Sequence, residues 1–143
     1  MRVFIPKICF VAALAMLLGG LLALANDGVD AAVKRLSHVG LYALGGVGFA
    51  GTMTQGTLDF RLIMDQPEPV AEAAFAKLYE SSNPQAKAYA LTGMKRMNPE
   101  RFKELLADAK NSTLKVQTGR GCILSTELLR EIAEGLDRES PRN

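Results

Sequence analysis

The chain has 143 residues, with 17 Lys and Arg against 15 Asp and Glu, one histidine and two cysteines. This length accommodates one modest core, and so balanced a charge gives no footing for nucleic-acid binding. Two cysteines cannot staple a disulfide scaffold, and with a single histidine they fall short of the ligand set of a zinc site.

The N-terminus reads as a secretory signal peptide over residues 1–25. Arg2 and Lys7 supply the positive start, residues 8–22 are an unbroken apolar and glycine run, and Ala23-Leu24-Ala25 has the small-residue cleavage pattern. The expected address is periplasmic or secreted. The rival is an uncleaved membrane anchor, because the apolar run approaches bilayer-spanning length. Cleavage removes Arg2, Lys7 and Cys9, leaving 15 basic against 15 acidic residues and Cys122 without an intrachain disulfide partner.

From Val29 the apolar positions Ala32, Val33, Leu36, Gly40, Ala43, Leu44 and Val47 keep helical spacing, which predicts one long first helix over residues 29–47. Residues 46–51 form a literal G-x-G-x-x-G, the pattern of a phosphate-cradling turn. The motif needs a strand before it and a helix opening on it; here the preceding stretch is helix-periodic, so the reading is a helix end with a tight glycine turn. Residues 57–65 suit either period and are read as a short helix capped by Thr54 or Thr57. Pro67 opens the next helix, whose apolar face is Val70, Ala71, Ala74, Phe75 and Leu78.

Asn83-Pro84 and Asn98-Pro99 each place a capping side chain before a proline whose missing N–H costs nothing in a first helical turn, and together they predict a helical hairpin. Its first helix is apolar on several sides; its second has one stripe, Phe102, Leu105, Leu106 and Ala109. Tyr89, Leu91, Met94, Phe102, Leu105, Leu106 and Phe75 are expected in one core. After a turn at residues 111–113, residues 114–118 alternate as a short extended piece and glycines 119 and 121 break any helix. A last helix is predicted from Ser125 as N-cap through Leu128, Leu129, Ile132, Ala133 and Leu136. The helical domain thus covers residues 26–137, with residues 138–143 as a flexible tail.

Cys122 is the candidate for chemistry. It lies in a glycine-flanked turn beside Arg120 and ahead of a predicted helix start, a setting that stabilises thiolates. A catalytic thiol also needs a positioned base, and the sole histidine, His38, falls on the first helix beside Ser37 with no orienting residue in view. The competing expectation is a small hydrophobe packed under the last helix. Lys95, Arg96, Arg101 and Lys103 ring the hairpin turn and read as solvated cations suited to helix C-termini. Glu68, Glu72 and Glu80 form a spaced acidic edge. No cofactor, metal or nucleic acid is implied.

The run of short amphipathic helices centred on residues 86–106 resembles helical-repeat pairs of the HEAT type. Residues 46–65, Tyr89 to Met94 and Gly121-Cys122-Ile123 are also similar to a group of small exported bacterial proteins. The resemblance implies a fold and an address, and assigns no catalytic residue. The expected fold is all-α: a compact bundle of about six short helices with HEAT-like antiparallel pairing, too few pairs for an open solenoid. The expected function is non-catalytic protein–protein interaction, with a thiol-dependent enzyme or redox protein using Cys122 as the alternative.

Overall fold

The computed structural model describes residues 27–139; the signal-peptide reading, its cleavage site and the end of the tail lie outside them. Six helices and two small antiparallel hairpins make up the described residues, so the fold is mostly helical without being all-α.

Helix α1 runs over residues 27–36 with Val29, Ala32, Val33 and Leu36 buried. It stops eleven residues before the predicted end at Val47. The Ser37 and Val39 amides still bond back to Val33 and Leu36, and the chain then straightens. Tyr42 forms a parallel bridge with Thr118. Ala43 is buried by this extended crossing and not by a helix face, which is why a helical period could include it.

Strands β1 (Gly46–Val47) and β2 (Thr52–Met53) follow as a minimal hairpin. Its turn carries Gly48 at φ 78° and Gly51 at φ 61°, the left-handed region that glycine enters without strain. A Cβ on Gly46 would overlap the Gly51 carbonyl, so the glycine run is a turn in which the backbone folds on itself.

Helix α2 (Gln55–Met64) starts as expected, with the Thr54 Oγ1 accepting from the Thr57 N–H at 3.1 Å. Helix α3 (Glu68–Tyr79) begins after Pro67. Helices α4 (Pro84–Met97) and α5 (Pro99–Ala109) carry the two asparagine caps: the Gln85 and Arg101 amides donate to Asn83 and Asn98 at 2.9 and 3.0 Å.

The central element is α4, buried without interruption from Ala88 to Met94, as an element apolar on all sides must be. It packs against α2, α3, α5, β3 and α6. Tyr42 and Tyr89 meet edge-to-face at 4.9 Å, and Phe60 lies 5.7 Å from Tyr89 and 5.6 Å from Phe75. The seven residues assigned to one core all join it, Leu105 at its half-buried margin.

The C-terminal third differs most from expectation. The extended piece predicted over residues 114–118 is part of a six-residue strand that starts one residue later, β3 (Lys115–Arg120), paired with β4 (Ile123–Leu128) in an unbroken antiparallel register. Ser125 therefore sits in mid-strand, and the last helix, α6 (Leu129–Arg138), starts four residues later. Residues 123–128 alternate around a two-residue Gly121-Cys122 turn with Gly121 at φ 56°, and period two prevails once β3 supplies a partner. Glu131 accepts from the Leu128 N–H at 2.8 Å and caps α6. At its far end the Lys95 ammonium donates to the carbonyls of Leu136 and Glu139, so one cation of the basic run caps a helix C-terminus of another element.

Gly93 faces the Phe75 ring so closely that a Cβ there would collide with it. Gly93→Ala is therefore expected to lower stability by about 1–3 kcal/mol through overpacking, more than the ~1 kcal/mol alanine returns in helix propensity. Urea unfolding measures it, and a stabilised variant would mean that the ring yields.

Burial pushes the Tyr42 phenol up to about 12, with Thr92 as its hydrogen-bond partner opposing part of that rise. The unfolded chain then ionises this phenol near pH 10 while the folded chain keeps it neutral. Stability contributed by Tyr42 is complete below pH 10 and declines as pH climbs towards 12, by roughly 2 kcal/mol over that span. Tyr42→Phe should flatten this alkaline loss in denaturation curves, at a baseline cost of about 1 kcal/mol for the bond to Thr92.

Candidate functional site

Three places can be weighed: the predicted Cys122 and His38, the groove beside His38, and the end of the molecule where the two hairpin turns meet.

Cys122 is exposed at the β3–β4 turn and not packed beneath α6. The expectation of a buried small hydrophobe is overturned because the residues after it, Ile123 and Leu124, form an exposed strand and do not enter the interior. His38 follows α1, with its Nδ1 3.0 Å from the Ser37 Oγ and 2.9 Å from the Lys34 carbonyl. The thiol thus lies at the β3–β4 turn and the histidine just after α1, with Ser37 and Lys34 as the hydrogen-bond partners of its Nδ1. Among the described residues no cluster of three or more His, Cys, Asp or Glu side chains could hold a metal.

His38 lines a groove of about 470 Å³ with Lys34, Arg35, Val39, Gln55, Gly56 and Asp59. Its floor is an ion pair that sequence reasoning missed. Asp59 is buried, and Arg35 grips it through Nε to Oδ2 at 2.9 Å and Nη2 to Oδ1 at 2.6 Å. The Gln55 amide donates to Oδ1 at 3.1 Å. The hydrogen bond to Asp59 holds the Arg35 guanidinium above its ordinary range. Gripped through both oxygens by Arg35, Asp59 locks α1 to α2. The available signal was its place one turn from Gly56 and Ile63, on the buried side of α2.

The hairpin turns offer a different kind of surface. The Gly48 N–H donates to the Gly121 carbonyl at 2.8 Å, and Val47 bridges Gly121 in parallel. The Gly51 N–H is spent on the Gly48 carbonyl at 3.0 Å. Two of the glycine amides are thus engaged, one across to the β3–β4 turn and one within its own turn, and the G-x-G-x-x-G stretch joins the two hairpins.

What it presents is Phe49, fully exposed at 103% of its reference area, while Ile123 at 69% and Leu124 at 67% stand exposed on opposite faces of the strand that leaves the second turn. Gly119, opposite Leu124 in the ladder, leaves room for the side chains of Leu41 and Leu124 to close over it. Two turns stitched together by a backbone hydrogen bond thus carry exposed apolar side chains, with Arg120 and Cys122 next to Ile123 in the chain. Chemically these side chains can exclude water against another apolar surface. Among the described residues no helix is long and apolar enough to cross a membrane. Comparison of the chain with protein-family models, with curated proteins and with solved structures finds no match.

Proposed function

We propose that this is an exported, non-catalytic binding protein that holds another protein through the apolar end formed by its two hairpin turns. The observation that carries the reading is the full exposure of Phe49, with Ile123 and Leu124 also exposed, on turns fixed to one another by a backbone hydrogen bond. Large exposed apolar side chains lower the free energy of a complex by leaving water, and their exposure on one end of the molecule suits an interaction surface. Fixed turns lose little conformational entropy on binding. Export rests on the N-terminal pattern of residues 1–25, and an uncleaved anchor would change the address while leaving the surface as it is. The helix pairs behind the turns, in HEAT-like antiparallel arrangement, supply the rigid support.

Phe49→Ser should sharply reduce recovery of the bound partner from a periplasmic fraction while leaving the melting temperature unchanged, since the side chain has no intramolecular contact to lose. Equal recovery by the variant and the parent chain would sink the reading.

The exposed thiol gives the redox alternative one point in its favour, accessibility. It also reverses the expected cost of removing sulfur. Cys122→Ser is expected to change stability by less than about 0.5 kcal/mol, as surface substitutions do, and to leave partner recovery intact. Loss of partner recovery in Cys122→Ser, restored by no other side chain at that position, would make the thiol chemistry the leading reading.

A further inference from the structure

Strand β4 is the free edge of the C-terminal sheet, and the phase of the ladder shows which of its groups are unused. Tyr42 donates to the Gln117 carbonyl at 2.8 Å and accepts from the Gly119 N–H at 3.0 Å, so odd-numbered residues of β3 bond away from β4. The even-numbered residues Val116, Thr118 and Arg120 therefore bond to Glu127, Ser125 and Ile123, their partners in register. The Leu129 N–H donating to the Leu114 carbonyl at 2.8 Å continues the same phase. It follows that the N–H and C=O groups of Leu124 and Thr126 point outward, and no described backbone group meets them. The Leu128 N–H, next in that series, is already taken by Glu131.

This edge lacks the usual guards. The strand reads ILSTEL, with no lysine, no proline and no bulge in its register, and its first four residues are exposed.

We infer that β4 pairs antiparallel with β4 of a second copy of this chain, about a twofold axis at Ser125. The inference rests on reading this end of the molecule as a contact surface, and it names the occupant of the edge. In this register Leu124 lies opposite Thr126 of the second copy, and the reverse, so every outward group of the strand acquires a partner and none is left over. A register centred on Leu124 would need Cys122, which belongs to the turn.

Charge complementarity favours the same occupant. Arg120 and Glu127 have no oppositely charged partner among the described residues, and both lie on the face of the sheet that carries Val116 and Thr118. Antiparallel pairing sets Ile123 opposite Glu127 of the second copy. Arg120 then stands two strand spacings from that carboxylate, roughly 9.5 Å between backbones, within the combined reach of the two side chains. A two-strand seam is small beside the ~1,600 Å² of a standard interface, so the dimer is dependent on concentration.

The test uses the purified chain in analytical ultracentrifugation over a range of concentrations, with three variants. The parent chain should pass from monomer to dimer as concentration rises. Thr126→Pro removes one outward N–H and keeps the β3–β4 ladder, so it should remain monomeric with unchanged circular dichroism. Arg120→Glu should weaken the dimer several-fold, an effect that fades with salt. Ser125→Cys, made with Cys122→Ser, should oxidise to a covalent dimer, because the Ser125 pair faces itself across the axis with Cα atoms about 4.5 Å apart. Cys122 in the parent chain should not cross-link, its counterpart being about 20 Å away in this register.

A parent chain monomeric at every concentration, or a Ser125→Cys variant that fails to cross-link where the parent dimerises, overturns the inference. Phe49→Ser separates the two readings. It should leave this dimer intact, and a dimer lost in Phe49→Ser but kept in Thr126→Pro would place self-association on the turns and not on the edge.

Discussion

The backbone at Ala43 is buried where the chain crosses between helix and sheet, and the fold depends on how its polar groups are satisfied. The Ala43 N–H donates to the Tyr89 hydroxyl at 3.0 Å, while its carbonyl accepts from Tyr89 and from Thr57, both at 2.7 Å. Two side chains on α4 and α2 thereby do for one residue what a neighbouring strand would do. An unpaired buried backbone group costs about 1–3 kcal/mol, so the crossing can be buried only because these hydroxyls are present. One residue earlier, the Tyr42 hydroxyl pairs with Thr92 at 2.7 Å and its backbone carries β3. The helical layer and the C-terminal hairpin are joined through this pair of residues.

The legible parts of the sequence were those where a local rule and the tertiary packing agree. Asn-Pro at residues 83–84 and 98–99, and Thr54 ahead of α2, fix helix starts through contacts within one turn, so neighbours hardly matter. Ala43 and Ser125 mark the opposite case. Ala43 fits a helical period and is buried by strand-like crossing; Ser125 is a good helix cap in isolation and has a cross-strand partner in Thr118 at 2.8 Å. Distant pairing decided both, and a period over a short window contains no record of the partner. The two-residue Gly121-Cys122 turn was in view, yet without β4 it read as the prelude to a helix.

The candidate site was legible in part. Cys122 and His38 were found as chemical types, and they belong to different elements, the β3–β4 turn and the end of α1. The features that matter more were present as residues but carried no pattern: Phe49 is hidden in a glycine motif with a better-known meaning, and Asp59 occupies a position within α2 whose burial depends on Arg35 from another helix. Exposure of an apolar residue and burial of a charged one are both properties of the assembled surface. Each runs against composition-level expectation, and each is visible only after the chain is folded.

The bridge between Tyr42 and Thr118 also sets an order of assembly. It joins positions roughly 75 residues apart, a closure whose entropy must be met before the contact stabilises anything. The segments from α2 to α5 meet through short connections and can associate first. Until β3 emerges and docks, the Tyr42 backbone lacks its sheet partner. A chain released from synthesis short of residue 120 would hold most of its helices and still expose the bare groups at this crossing. The C-terminal hairpin is accordingly the clasp of the fold, since it supplies the partners of the Tyr42 backbone from the far end of the chain.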